Sequence, residues 1–241
     1  MALERLDKYV AQSCLITRKE ARERIRAGQV SVNGQVCRRP EQHVDAGRDE
    51  VCASGAVLES PRPVLLMMNK PAGVLTASRD GRERTFCDYL PEKYAHLPLS
   101  AAGRLDKDAE GLLLLTDDGE LVHRIISPRW KTEKLYYVEL DRPACRADAE
   151  AFASGLDLGD FTSQPARLDI LPGDGRACHV VICEGKFHQV KRMFAACGKK
   201  VLLLRRLKIG TLELDKTLKS GEIRQLSEQE RALLYEMTGL L

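Results

Sequence analysis

No apolar run in the 241-residue chain approaches the roughly 18 residues that a membrane-spanning helix needs; the longest are short stretches such as GLLLLT. The first residues, MALERLDKYV, are charged and amphipathic, without the apolar core and small-residue cleavage site of a secretory signal. Eight cysteines are present, but no CxxC pair and no Cys/His cluster at zinc spacing. The expectation is a cytoplasmic protein whose thiols are mostly reduced and buried. Cys178 and Cys183, the closest pair, could face each other across a hairpin, though nothing requires it. Internal repeats and low-complexity segments are also missing.

What is present suffices for one or two packed domains: 44% of residues are hydrophobic, enough to bury a core, and a 30% charged fraction is ordinary for a folded chain. Net charge is only +3, yet it is unevenly spread. Residues 1–40 hold nine basic residues (Arg5, Lys8, Arg18, Lys19, Arg22, Arg24, Arg26, Arg38, Arg39) against four acids. The stretch GKFHQVKRMFAACGKKVLLLRRLK has eight basic residues and no acid. Two separate basic surfaces on a nearly neutral chain point to a long polyanion such as nucleic acid. Solvated basic helix faces are the plain alternative for the first stretch.

Residues 1–59 read as a small unit. In ERLDKYVAQSCL, Leu6, Val10 and Ala11 share a helical face, which Leu3 and Cys14 extend. Thr17 with Glu20 three residues on is a capping-box start, and Gly28 supplies the stop. The helix between carries Arg18, Lys19, Arg22 and Arg26 as a basic stripe. VSVNGQVCR reads as a hairpin turning at Asn33-Gly34, and DEVCASGAVLE as a second strand pair. This order of helices, hairpin and basic edge resembles the αL, or S4-like, RNA-binding module. ESPRP is a linker, and 64–241 reads as a second, α+β domain around a mostly antiparallel sheet. Its strands are VLLMMN, GLLLLT, KLYYVEL, ARLDILP, ACHVVICEG and KKVLLLRRLKIGTLEL; ELVHRIIS and FHQVKRMFAAC have helical spacing.

One stretch, GRLDKDAEGLLLLTDDGEL, sets Asp106, Asp108 and Glu110 directly before a buried strand. As a calcium loop it fits poorly: Asp117 replaces the bidentate Glu at position 12, and leucines occupy positions 8 to 10. A polar loop entering a core strand describes the backbone, and such loops at the mouth of a sheet commonly carry catalytic groups. The stretch is similar to the signature of the RsuA-type pseudouridine synthase family. LLMMNKPAGV, HRIISPRWKTEKLYYV, EGKFHQVKRMFAACGKKV and IGTLELDKTLKSGEIRQLSEQE resemble the family's other blocks in order. With the S4-like front end, the resemblance covers essentially the whole chain. Ala109 stands where relatives usually have Thr or Ser, which bears on loop packing rather than on the reaction.

The resemblance implies a cofactor- and metal-free isomerisation of uridine. Cleaving the N1–C1′ bond leaves cationic character on the sugar, which one carboxylate beside C1′ can stabilise or trap. The family match places that carboxylate at Asp106, with Lys191 as its cationic partner about 85 residues away and Arg192 as the alternative. Tyr136 matches the tyrosine that packs on the uracil of a flipped-out nucleotide. Arg104 is placed to fill the gap left by the base or to grip its phosphate, with Leu105 packing inward. Asp108 and Glu110 read as loop acids. His123, His179 and His188 share no ligand spacing and read as hydrogen-bonded or RNA-facing.

The expected RNA contacts are Arg104 and Arg192 together with Arg5, Lys8, Arg18, Lys19, Arg22, Arg26 and Arg38. The expected substrate is a uridine of small-subunit ribosomal RNA, free or in an assembling subunit, handled by a monomer with no membrane contact. The short segment after EIRQLSEQERALL and the EGKFHQVKRMF block favour the small subunit. A large-subunit uridine, or a non-catalytic ribosome-assembly role, are the alternatives.

Overall fold

A computed structural model of the chain describes residues 3–240. The chain divides into two compact units, Met1–Pro63 with Pro91–Pro98, and Val64–Leu90 with Leu99–Leu241. The short segment 91–98, which the sequence reading left in the second domain, groups with the first.

The first unit runs β1 (Leu3–Arg5), α1 (Leu6–Ser13), α2 (Arg18–Arg26), β2 (Val30–Val32), β3 (Gln35–Val36), β4 (His43–Asp45), β5 (Val51–Ala53) and β6 (Ala56–Val57). Thr17 caps α2 through the expected reciprocal pair with Glu20, because the two groups satisfy each other's otherwise unbonded N–H. Asn33 and Gly34 take positive φ, 51° and 77°, as a two-residue hairpin turn requires. Leu6, Val10, Ala21, Ile25, Val30, Val44 and Val51 form the core. Leu3 does not extend α1: it lies in β1, paired with Asp45, and is 67% exposed. That pairing joins residues some forty positions apart, which helical periodicity cannot reveal.

The second unit contains β7 (Leu65–Lys70), β8 (Ser100–Ala101), β9 (Glu110–Thr116), α3 (Gly119–Ile126), β10 (Lys134–Leu140), α4 (Arg146–Ser154), β11 (Arg167–Ile170), β12 (Ala177–Ile182), α5 (Gln189–Ala196), β13 (Val201–Ile209), β14 (Leu212–Glu213), β15 (Ile223–Gln225) and α6 (Glu228–Met237). Its sheet has the order β11-β12-β10-β13-β9-β7-β15, with β14 on β13 and β8 on β9. Pairing is antiparallel throughout except between β13 and β9. The leucine run of β9 is apolar on both faces because it sits inside the sheet between β7 and β13, and it is buried from Gly111 to Thr116. One apolar cluster joins Tyr136, Val138, Phe152, Val180, Met193 and Phe194; a second joins Leu65, Leu112, Leu114, Ile125, Ile209 and Leu234.

One small residue at the β9 entrance is dictated by packing. Gly111 has φ +99°, and a Cβ there would lie within 2.9 Å of the Arg206 amide nitrogen. Only glycine lets β13 come alongside. Asp117 and Asp118 end the strand with different tasks: Asp117 accepts from Val64 N (2.7 Å), and Asp118 caps α3 through Leu121 N (3.0 Å).

All eight cysteines are free, but only Cys37 and Cys178 are buried, which corrects the expectation of mostly buried thiols. Cys178 lies within β12 and Cys183 just beyond its end, so they do not face each other across a hairpin.

Candidate active site

The loop 102–109 leaves β8 and enters β9, and its backbone is held at several points. Thr76 Oγ1 donates to the Leu105 carbonyl (2.8 Å) and accepts from Leu105 N (3.2 Å), while the Leu105 side chain joins the core. Arg206, 1% exposed, donates to the carbonyls of Leu112 (2.8 Å), Gly103 (2.9 Å) and Arg104 (3.5 Å). Lys70, fully buried at the end of β7, donates to the carbonyls of Ala109 (2.7 Å), Pro71 (3.0 Å) and Lys107 (3.2 Å). Burial pushes the Lys70 ammonium down to about 8, against the raising influence of Asp108 and Asp106. Two buried cations thus spend their donors on loop carbonyls, which fixes the side chains between them. Ala109 is fully buried.

Asp106 projects from this loop, about a quarter exposed. Lys191 Nζ, from the first turn of α5, is 2.9 Å from its Oδ2 and 2.5 Å from Asp108 Oδ1. Burial works against the charge on Lys191, but the hydrogen bonds to Asp108 and Asp106 outweigh it and hold the ammonium above 10.5. The same Lys191 hydrogen bond holds Asp108 below the ordinary 3.8. Asp108 is therefore a second partner of the lysine and not a bystander, a correction to its reading as a plain loop acid. Glu110 turns elsewhere and pairs with Arg205 (2.6 Å), its neighbour across the parallel β9–β13 register. The three acids do not converge as cation ligands would.

His188 precedes α5 in the left-handed region (φ 50°) and brings Nε2 to 3.6 Å from Asp106 Oδ1. Its ring stacks on the exposed Phe187, with centroids 3.8 Å apart. Beneath, Glu184 (3% exposed) accepts from Gln189 Nε2 (2.7 Å) and Gln164 N (2.8 Å), and Gln189 Oε1 accepts from Lys186 N (3.1 Å). This buried Glu–Gln pair shapes the 184–189 turn that presents His188 and Lys191.

Tyr136 lies on β10 between β12 and β13, 6% exposed. With Arg104, Asp106, Ile182, His188 and Leu204 it lines a slot of about 50 Å³. A wider groove of about 500 Å³ shares Arg104, Asp106 and His188 and is bordered by Asp80, Lys107 and Phe187. A larger depression of about 810 Å³ in the 78–89 loop contains none of Asp106, Tyr136 and Lys191, so size alone does not mark the site.

Among the other expected residues, Arg104 is exposed and its guanidinium has no partner among the described residues. Arg192 bonds Asp160 and the Leu158 carbonyl and lies over the Phe161 ring (4.9 Å), so it is not the partner of Asp106. In the first unit, buried Asp7 collects Arg5 (3.1 Å), Arg18 (2.8 Å) and Arg22 (2.8 Å). Burial opposes the Asp7 charge, yet the three guanidiniums hold its carboxyl far below the usual range. The arginines remain partly exposed beyond it. Lys8 pairs with Glu4 (2.6 Å), and Arg38 donates to the Arg26 carbonyl (3.0 Å) at the end of α2. Lys19 and the Arg26 side chain are exposed.

The family model of RNA pseudouridylate synthases matches residues 64–196, and that of the S4 domain matches residues 4–51. The chain belongs to the RNA pseudouridylate synthase family. It is 41% identical over 236 residues to an uncharacterized RNA pseudouridine synthase of Bacillus subtilis, covering 96% of this chain and 98% of that one. Ribosomal small subunit pseudouridine synthase A of Pasteurella multocida is 42% identical over 231 residues, and that of Escherichia coli K12 40% identical over 232; each match covers 95% of this chain and 98% of the relative. A solved pseudouridylate synthase structure superposes with a TM-score of 0.67 at 38% identity, covering 95% of this chain and 99% of that one. The protein is thus an RNA pseudouridine synthase with an S4 domain in front. The synthase match contains Asp106, Tyr136 and Lys191; Asp106 and Tyr136 line one slot, and Lys191 reaches it through its pair with Asp106. Lys70, Arg206, Glu184 and Gln189 escaped the sequence reading, and Asp108 was read only as a loop acid. One of them left a signal: tandem arginines in a strand point to opposite faces, so one of Arg205 and Arg206 had to enter the interior.

Proposed function

We propose that this pseudouridine synthase isomerises one uridine of small-subunit ribosomal RNA, with Asp106 as the catalytic carboxylate on a flipped-out nucleotide. The observation that carries the reading is the Asp106–Lys191 pair at 2.9 Å beside the buried Tyr136. Relatives about 40% identical over nearly the whole chain, named as small-subunit synthases, support the choice of RNA.

In this mechanism the N1–C1′ bond breaks, the uracil turns, C5 bonds to C1′, and the C5 proton leaves as N1 gains one. No atom from outside is consumed. Asp106 faces C1′, where positive charge develops, and its charge is held in place by Lys191. Tyr136 supports the face of the uracil. The slot is only about 50 Å³, and Arg104 lines it, so seating a base requires that side chain to leave. Its exposed guanidinium, without a partner among the described residues, suits the move into the space the base vacates. The S4 domain, residues 1–59, docks the RNA through the arginines gathered on Asp7 together with Lys19 and Arg26. Action on ribosomal RNA assigns the monomeric chain to ribosome biogenesis in the cytoplasm.

Mapping pseudouridine in both ribosomal RNAs from cells with and without the gene tests the substrate. The expected result is one missing site in the small subunit. A missing site confined to the large subunit overturns the substrate, and identical maps overturn the reading.

A further inference from the structure

Two buried cations beside the proposed base slot have no acid as a hydrogen-bond partner among the described residues. Lys134 lies two residues before Tyr136 on β10 and on the same face, 4% exposed. It shares with Arg206 a cavity of about 400 Å³, also lined by Ala101, Gly103, Arg104 and Tyr136. Buried charges are ordinarily paired. Here the hydrogen-bond partners among the described residues are all neutral carbonyls: Thr132 for Lys134 (3.0 Å), and Gly103, Arg104 and Leu112 for Arg206.

Donor arithmetic separates this lysine from the other buried one. Lys70 spends all three N–H groups on loop carbonyls, and three nearby acids favour its charge. Lys134 spends one, leaving two for the cavity, and Arg206 spends three of five. Burial first, and then Arg206, push the Lys134 ammonium down to about 8. An arriving anion relieves both effects. Gly103 borders both cations: with φ +93°, a Cβ there would lie at contact distance, 3.5 Å from Arg206 Nη1 and 3.9 Å from Lys134 Cε.

We propose that this cavity is a phosphodiester site, in which Lys134 and Arg206 receive one backbone phosphate of the RNA beside the flipped uridine. The inference rests on the proposed function. Along a strand, two residues span roughly 6.6 Å, so a phosphate at Lys134 and a base at Tyr136 belong to the same or adjoining nucleotides. Uracil is neutral and has no use for two cations, whereas each nucleotide brings one negative charge.

The test uses the full chain and a ribosomal RNA fragment containing the target. Lys134→Met should weaken binding about tenfold and lower the slope of log K against log salt by about one, with Lys134→Arg retaining the slope. Without RNA, the Met variant should melt at or above the wild-type temperature, because it removes a buried charge; a lysine that serves as a strut to Thr132 would instead cost stability. On the unaltered chain, inorganic phosphate exchanged for chloride at constant ionic strength should raise the titration midpoint of Lys134 followed by NMR. An unchanged salt slope in a folded Lys134→Met, or a Lys134 midpoint indifferent to phosphate, overturns the site. If the wild type makes no pseudouridine in the fragment, the functional reading fails, while the phosphate titration still decides the cavity.

Discussion

Replacing Lys191 by Met removes the only cation within 3 Å of Asp106 among the described residues and leaves Asp106 and Asp108 facing each other. Lys191 and Asp106 are each less than a quarter exposed, so water compensates only in part. A hydrogen bond between charged groups in such a setting is worth roughly 1.5–3 kcal/mol. If that stabilisation is needed while charge develops at C1′, kcat/KM falls roughly 10- to 100-fold. Global stability should fall by no more than that hydrogen-bond energy, because Asp108 is 75% exposed and rehydrates while Asp106 does so only in part. The assay is release of label from RNA carrying tritium at uracil C5, since that hydrogen leaves when C5 bonds to C1′. Lys191→Arg, which keeps the charge on a longer fork, should fall between the two. A Met variant with wild-type kcat/KM would refute the pairing argument, and so would one that is merely unfolded and regains full activity when stabilised.

Asp108→Asn should leave Lys191 to Asp106 alone and reduce kcat/KM by less than about tenfold; a loss as deep as that of an Asp106 variant would make Asp108 the working carboxylate. Lys70 and Lys134 both fall from 10.5 to about 8 in the fold, so each opposes folding fully below about pH 8 and ceases to do so as pH rises toward 10.5. Each should then return on the order of 3 kcal/mol to the second unit across that window. Urea midpoints measured from pH 8 to 10 should rise less in Lys134→Met than in the wild type; equal slopes would contradict the burial argument. Asp7→Asn leaves three arginines around a neutral amide and should cost the first unit on the order of 3 kcal/mol, read by denaturation of the full chain with a probe in residues 1–63. Because the Asp7 carboxyl is held far below 3.8, its stabilising effect is present above that pH and fades as acid is added. A variant as stable as wild type would show that the cluster is incidental.

The elements were legible where a local rule applied. Thr17 and Glu20 announce α2, Asn33-Gly34 announces a hairpin, and the leucines of β9 announce an interior strand. Ser227 and Glu230 announce α6 by the same capping box, a signal the reading passed over. The Asp106–Lys191 partnership was not local, and only the family resemblance suggested it. Nothing in sequence could assign Asp108 to the same lysine, because that contact spans 83 residues and is made by the sheet order. Arg192, adjacent to Lys191, points to Asp160 because consecutive residues on α5 lie about 100° apart. Lys70 follows the strand run VLLMMN without any local sign of its task, since its role depends on carbonyls nearly forty residues later.

The most direct test of the account is single-turnover conversion of the mapped uridine by wild type and by Asp106→Asn, at protein concentrations that saturate RNA binding in both. The substitution keeps the shape of the side chain and removes its charge. Pseudouridine should form with the wild type and be undetectable with the variant, although both bind the RNA. A variant that still converts the uridine at the wild-type rate would contradict the assignment of the chemistry to Asp106.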